Sequence, residues 1–139
     1  SLKLLRILIK IGEAFYTMKI RIKGNSVRLR LSKTEIDKFA SLGYLEESTE
    51  FGTAKFTYAL ASSADASELC ADFNHQKITV YVPTKVQHEW VTTDIVGLEN
   101  KQKIAGDKTL FLLIEKDFVC LDNTFEDQSD NYPNPNAVC

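Results

Sequence analysis

Residues 18 to 31 (MKIRIKGNSVRLRL) are echoed 51 positions later by residues 69 to 82 (LCADFNHQKITVYV). Apolar positions fall on apolar positions: Ile22 on Phe73, Val27 on Ile78, Leu29 on Val80 and Leu31 on Val82. The same offset carries Phe39 onto Trp90. Two similar units that each bury one face can share a single core, so the repeat restricts the fold before any local propensity is weighed. It leaves the chemistry open, and no catalytic motif stands on this scaffold.

Each copy reads as the same string of elements. Charged and apolar residues alternate in 18–23 and 26–31 around Gly24-Asn25, a pair that tolerates the positive φ of a tight hairpin turn. Ser32 opens SKTE, a capping box in which Ser32 and Glu35 satisfy backbone N–H groups reciprocally. A helix over 33–42 follows, burying Ile36, Phe39 and Leu42 and ending at Gly43. A second hairpin, 44–51 with 55–60, turns at Gly52-Thr53. After a linker at 61–66 the order returns: a hairpin of 68–73 and 77–82 across Asn74-His75-Gln76, and Pro83 where Ser32 stood. A helix over 84–92 buries Val86 and Trp90, and strands 94–99 and 109–116 close the chain. The fold class is therefore α+β, with duplicated ββαββ units. They form a largely antiparallel eight-stranded sheet or barrel whose edges are covered by two helices or closed on themselves. The domain spans 18–121, in halves 18–66 and 67–121, with an acidic tail over 122–139.

The 139 residues, 44% of them hydrophobic, suffice for one domain with a substantial core. A formal net charge of -2 argues against a general nucleic-acid binder, which needs a basic surplus. Cys70, Cys120 and Cys139 are odd in number and lack CxxC spacing, which points to a reducing, cytoplasmic compartment. Residues 1–16 space Lys3, Arg6, Lys10 and Glu13 three or four apart among leucines and isoleucines, an amphipathic helical pattern too short to span a membrane. Met18, the only methionine, directly precedes the first strand. We expect the native protein to begin there, with 1–17 as upstream read-through and no membrane contact; the rival expectation is a surface-lying membrane anchor.

The arrangement resembles the triphosphate tunnel enzymes, whose wide eight-stranded barrel repeats a βαβββ motif. That resemblance implies metal-dependent phosphate chemistry, but the family's Glu-x-Glu-x-Lys first strand is replaced here by Lys19-Ile20-Arg21-Ile22-Lys23. The opening MKIRIKGNSVRLRL, the EKDFVCL of Glu115 to Leu121 and Tyr132-Pro133-Asn134-Pro135 resemble an uncharacterised family of short bacterial proteins. That likeness implies a bacterial, cytoplasmic origin and leaves the function blank.

The strongest candidate site is the first hairpin. A Gly24-Asn25 turn pairs Lys23 with Ser26, Arg21 with Arg28 and Lys19 with Arg30, so five cations share one sheet face. Like charges directly opposed destabilise a hairpin, so something acidic should lie over them. A small anion, an acidic protein segment or the chain's own tail would serve, since arginine offers bidentate donors. So would an acidic strand nearby, with Glu46, Glu47 and Glu50 in the same half and Glu68 and Asp72 on equivalent faces of the copy.

The tail, from Asp117 to Cys139, has no lysine or arginine. It reads as a solvated terminus, as a segment folded back over the cations on Phe118, Phe125 and Tyr132, or as a weak divalent-cation site of Asp122, Glu126, Asp127 and Asp130. DNTFEDQSD lacks the glycine and closing glutamate of an EF-hand loop. Cys70 with His75 establishes no contact, His88-Glu89 lacks a second histidine, and Cys120 with Cys139 makes a poor zinc site. Trp90 reads as a core anchor.

The sequence therefore favours a non-catalytic, cofactor-free binding module with a basic sheet face. The alternatives are a metal-dependent phosphate hydrolase, using Lys19, Arg21, Arg28 and Arg30 for phosphate and Glu46, Glu47 or Glu115 for metal, and a structural homo-oligomeric unit.

Overall fold

Alternation along the first hairpin decides which face is core. In β1 (Lys19–Ile22) and β2 (Ser26–Leu31), Val27, Leu29 and Leu31 point inward and are buried, while Arg28 and Arg30 point out. The computed structural model describes residues 17–118 and 129–133. The expectations for residues 1–16, and for Cys120, Asp122, Phe125, Glu126, Asp127 and Cys139, lie outside the described residues. The remaining elements are α1 (Lys33–Leu42), β3 (Tyr44–Glu50), β4 (Lys55–Ser63), β5 (Cys70–Asn74), β6 (Lys77–Pro83), α2 (Thr84–Thr92), β7 (Gly97–Lys103) and β8 (Thr109–Lys116).

The duplicated ββαββ order is present, but the halves are interleaved. One sheet runs β1-β2-β8-β7 and the other β3-β4-β6-β5, so each combines a hairpin from one half with a hairpin from the other. The four hairpins are antiparallel, and the junctions β2–β8 and β4–β6 are parallel. Both junctions keep one register. Ser26 opposite Phe111 corresponds to Lys77 opposite Thr57, and Leu31 opposite Lys116 to Val82 opposite Ser62. The offset is 51 between β2 and β6 and 54 between β4 and β8, read from those pairs. A pseudo-twofold relation therefore exchanges the sheets as well as the halves.

The sheets do not close into a barrel; they face each other across one apolar core. Leu29 and Leu31 of β2, Leu60 of β4, Val82 of β6 and Leu112 and Ile114 of β8 are fully buried there. Phe39 and Trp90, equivalent in the two helices, meet edge to face with ring centroids 6.4 Å apart. Each is wholly buried, a gain of about 2–3 kcal/mol per aromatic side chain.

The two helices begin differently. Ser32 Oγ accepts from Glu35 N at 3.3 Å and Glu35 Oε1 accepts from Ser32 N at 2.8 Å, the capping box read from the sequence. Gly43, at φ 68°, ends α1 and donates to Phe39 O at 2.8 Å. Pro83 starts α2 with no side-chain cap.

Several burial expectations are corrected. Leu42 is 71% exposed, because it sits in the last helical turn beyond the core stripe of Ile36 and Phe39. Ile22 and Phe73 are 56% and 63% exposed, since both lie near hairpin tips where the facing sheet no longer covers them. In α2 the position buried beside Trp90 is Gln87, with Val86 only half-buried. β7 starts at Gly97 rather than 94, because Thr93 leaves the helix in extended conformation and residues 94–96 form the connection.

Candidate functional site

Pairing of Lys19 with Arg30 and Arg21 with Arg28 puts these four side chains on the outward face of β1 and β2, as expected from the turn. Lys23 donates its backbone N–H to Ser26 O at 3.3 Å and completes the hairpin. The parallel neighbour β8 adds Phe111, Leu113 and Glu115 to this face, and β7 adds Glu99, Lys101 and Lys103. Two shallow depressions mark it. One, of about 310 Å³, is lined by Lys19, Ile20, Arg21, Arg28 and Arg30. The other, of about 200 Å³, is lined by Arg21, Lys23, Ser26, Arg28, Phe111 and Leu113.

The acids that oppose the cations come from β8 and the residue after it, not from the nearby strands named from the sequence. Glu115 Oε1 accepts from Arg28 Nε at 2.7 Å and from Arg30 Nε at 2.8 Å. Asp117 Oδ2 accepts from Lys19 Nζ at 2.8 Å. Glu46, Glu47, Glu50 and Asp72 belong to strands of the other sheet, and Glu68 meets Asn100 instead. Asp117 opens the tail that one sequence reading folds back over the cations, whereas Glu115 was missed as a partner because the β2–β8 junction joins strands about 85 positions apart. Lys101, Lys103, Phe111 and Leu113 were missed for the same reason. Their inward–outward alternation was readable; the neighbour was not.

The metal set of the hydrolase alternative does not assemble. Glu46 and Glu47 lie on β3, in the other sheet from Glu115. Among the described residues no three histidine, cysteine, aspartate or glutamate side chains converge, and Asp130 lies exposed in a turn. The space between the sheets is apolar core rather than a charged tunnel.

The remaining candidates are structural. Cys70 faces outward opposite Tyr81; burial, then the charges of Asp72 and Glu68, push its thiol pKa above the usual value and keep it protonated. His75 occupies the β5–β6 turn at φ 52°. His88 accepts at its backbone carbonyl from Thr92. Trp90 donates its indole N–H to Val96 O at 3.3 Å, as a core anchor does. No helix among the described residues is long and apolar enough to cross a membrane.

A family of unknown function (DUF7009) matches residues 18–136, a span that covers the eight strands and two helices of the described residues. No curated protein and no solved structure matches the chain.

Proposed function

The chain belongs to this family of unknown function, and from that premise we propose that it is a non-catalytic binding module whose cationic sheet face receives an acidic protein segment. One observation carries the reading. The outward face of this sheet holds Lys19, Arg21, Lys23, Arg28, Arg30, Lys101 and Lys103 against Glu99, Glu115 and Asp117. In a chain whose net charge is -2, such a surplus on one face is a local asymmetry that attracts and orients an anionic partner.

An extended partner suits this face better than a single small anion. The cations lie in rows along β1, β2 and β7, and Phe111 and Leu113 of β8 run between them, half-buried. An acidic peptide with an apolar or aromatic residue matches both features, the charges setting the encounter and the apolar side chain the register. Three cysteines without a pairing framework suit a cytoplasmic setting for such a module.

Fluorescence anisotropy of a labelled short polyglutamate peptide containing one phenylalanine tests the reading. Wild-type chain should bind it at low ionic strength and weaken steeply towards physiological salt. The variant Arg21→Gln, Lys23→Gln, Lys101→Gln leaves the Glu115 pairs intact and should lose binding while melting like wild type. Failure of wild type to bind at low salt, or equal binding by the variant, would overturn the proposal. Inorganic triphosphate as competitor separates a small-anion site, which it would empty at low concentration.

A further inference from the structure

At the end of the molecule away from the helices, the inner faces of the two sheets part. Between them lies a cleft of about 520 Å³. Ile22, Val27 and Leu110 form one wall; Phe56, Phe73 and Ile78 form the other. These residues are repeat equivalents. Ile22 corresponds to Phe73, Val27 to Ile78 and Leu110 to Phe56 by the offsets that relate the sheets. The cleft therefore straddles the pseudo-twofold relation, as the Phe39–Trp90 pair does at the opposite end.

The walls differ in a way that selects a ligand. One is aliphatic; the other carries Phe56 and Phe73, with ring centroids 6.4 Å apart and planes inclined by 47°. The polar groups at the rim are already engaged. Asn25 Nδ2 donates to Thr109 O at 2.5 Å, Ser26 Oγ to Lys23 O at 2.6 Å, and the Asp72 carboxylate accepts from Tyr81 Oη at 3.3 Å on the outer face. An ionised group entering the cleft would find no counter-charge inside and would be desolvated without compensation. An aromatic ring would meet edges and faces on one side and branched aliphatics on the other. The volume lies within the range of small-molecule pockets.

We propose that this cleft binds an uncharged aromatic small molecule between the Phe56–Phe73 wall and the Ile22–Val27–Leu110 wall. It is independent of the cationic outer face. The two are separated by the β1–β2 hairpin, whose inner side chains, Ile22 and Val27, line the cleft while Arg21, Lys23 and Arg28 line the outer depression.

The test is titration of the full chain with phenylnaphthylamine, an uncharged fluorophore that brightens in apolar surroundings. Wild type should give a saturable signal of one site that is insensitive to salt, unlike peptide binding on the outer face. Ile22→Asn with Phe73→Asn, both at positions more than half exposed, should weaken it by about ten-fold or more with circular dichroism unchanged. Ile104→Trp, which adds bulk at the rim, should block the probe and guards against failure of the double variant to fold. No saturable signal from wild type, equal affinity in both variants, or a dimer in sedimentation whose cleft excludes the probe would each overturn the proposal.

Discussion

The two sheets share one backbone plan and carry different chemistry outward. Where the first has Lys19, Arg21, Arg28 and Arg30, the second has Cys70, Asp72, Thr79 and Tyr81 at the equivalent positions. Glu115, which gathers two arginines, is matched by Ala61. The second face is satisfied by short-range polar contacts instead. Ser48 and Thr57 hydroxyls lie 3.0 Å apart, Tyr81 reaches Asp72, and Lys77 donates to the Tyr44 hydroxyl. The inward positions of β2 remain apolar in both copies, Val27, Leu29 and Leu31 matching Ile78, Val80 and Val82. Duplication thus fixed the core, and the outer surfaces diverged where packing imposes little constraint.

If the halves form one cooperative unit, the equivalent aromatics at their junction should matter most. Phe39→Ala and Trp90→Ala should each destabilise by about 3–5 kcal/mol, because each empties a fully buried site. Since the rings touch, the double variant should lose less than the sum of the two. Urea unfolding followed by fluorescence and circular dichroism checks both statements. Two separate transitions, one per half, would break the interleaved description, because each sheet draws strands from both halves.

The asymmetry of the outer faces is sharpened by Glu115→Gln. It removes the one carboxylate shared by Arg28 and Arg30 and should cost about 1–2 kcal/mol at low salt. The loss should shrink as salt screens the opposed Arg21 and Arg28. A salt-independent loss would mean that Glu115 acts through packing rather than charge.

The repeat made the hairpins, the capped first helix, the Phe39–Trp90 equivalence and the five-cation face readable, because each depends on residues close in sequence or on alternation. The two parallel junctions were not readable. A hairpin is announced by its turn residues, whereas β2–β8 and β4–β6 pairing is decided by which arrangement buries both inner faces at once. The acids for the cations were therefore sought in the nearest strands and in the tail that Asp117 opens, and Glu115 was missed. Ile22 and Phe73 were aligned correctly as equivalents but read as core. Period alone cannot tell a strand's covered middle from its uncovered end.

Position 87 compares the helices directly, since Gln87 stands where Ile36 stands in the first copy, and both are buried. Gln87 Nε2 donates to Phe39 O at 3.2 Å, while its Oε1 has no partner among the described residues. Phe39 O also accepts from Gly43 N, so removing the amide strands no acceptor. Gln87→Leu should therefore change stability by less than about 1 kcal/mol, or raise it, because a buried amide with one unmet group gives way to a side chain of similar volume. A loss beyond 2 kcal/mol, about a buried hydrogen bond's full desolvation penalty, would show that the glutamine specifies the helix contact.

The smallest effect is a slope with pH, and it separates the capped helix from the uncapped one. Glu35 is 4% exposed, and burial raises its pKa above the ordinary carboxylate value against the opposing pull of its Ser32 hydrogen bonds; Glu47 adds to the rise and Lys38 lessens it. A raised folded pKa means that the folded chain holds this proton more tightly than the unfolded chain does. The stability Glu35 contributes is then fully present below the unfolded value of 4.5 and is lost as pH rises through the folded pKa. Glu35→Gln keeps an oxygen to accept from Ser32 N but cannot ionise. Stability of the variant relative to wild type should therefore climb as pH is raised from below 4.5 towards neutrality, and then level off. Because both chains carry every other titrating group, their difference isolates this one carboxyl. A difference that falls instead would mean that the capping bonds, rather than burial, govern Glu35, and parallel curves would mean that the two cancel.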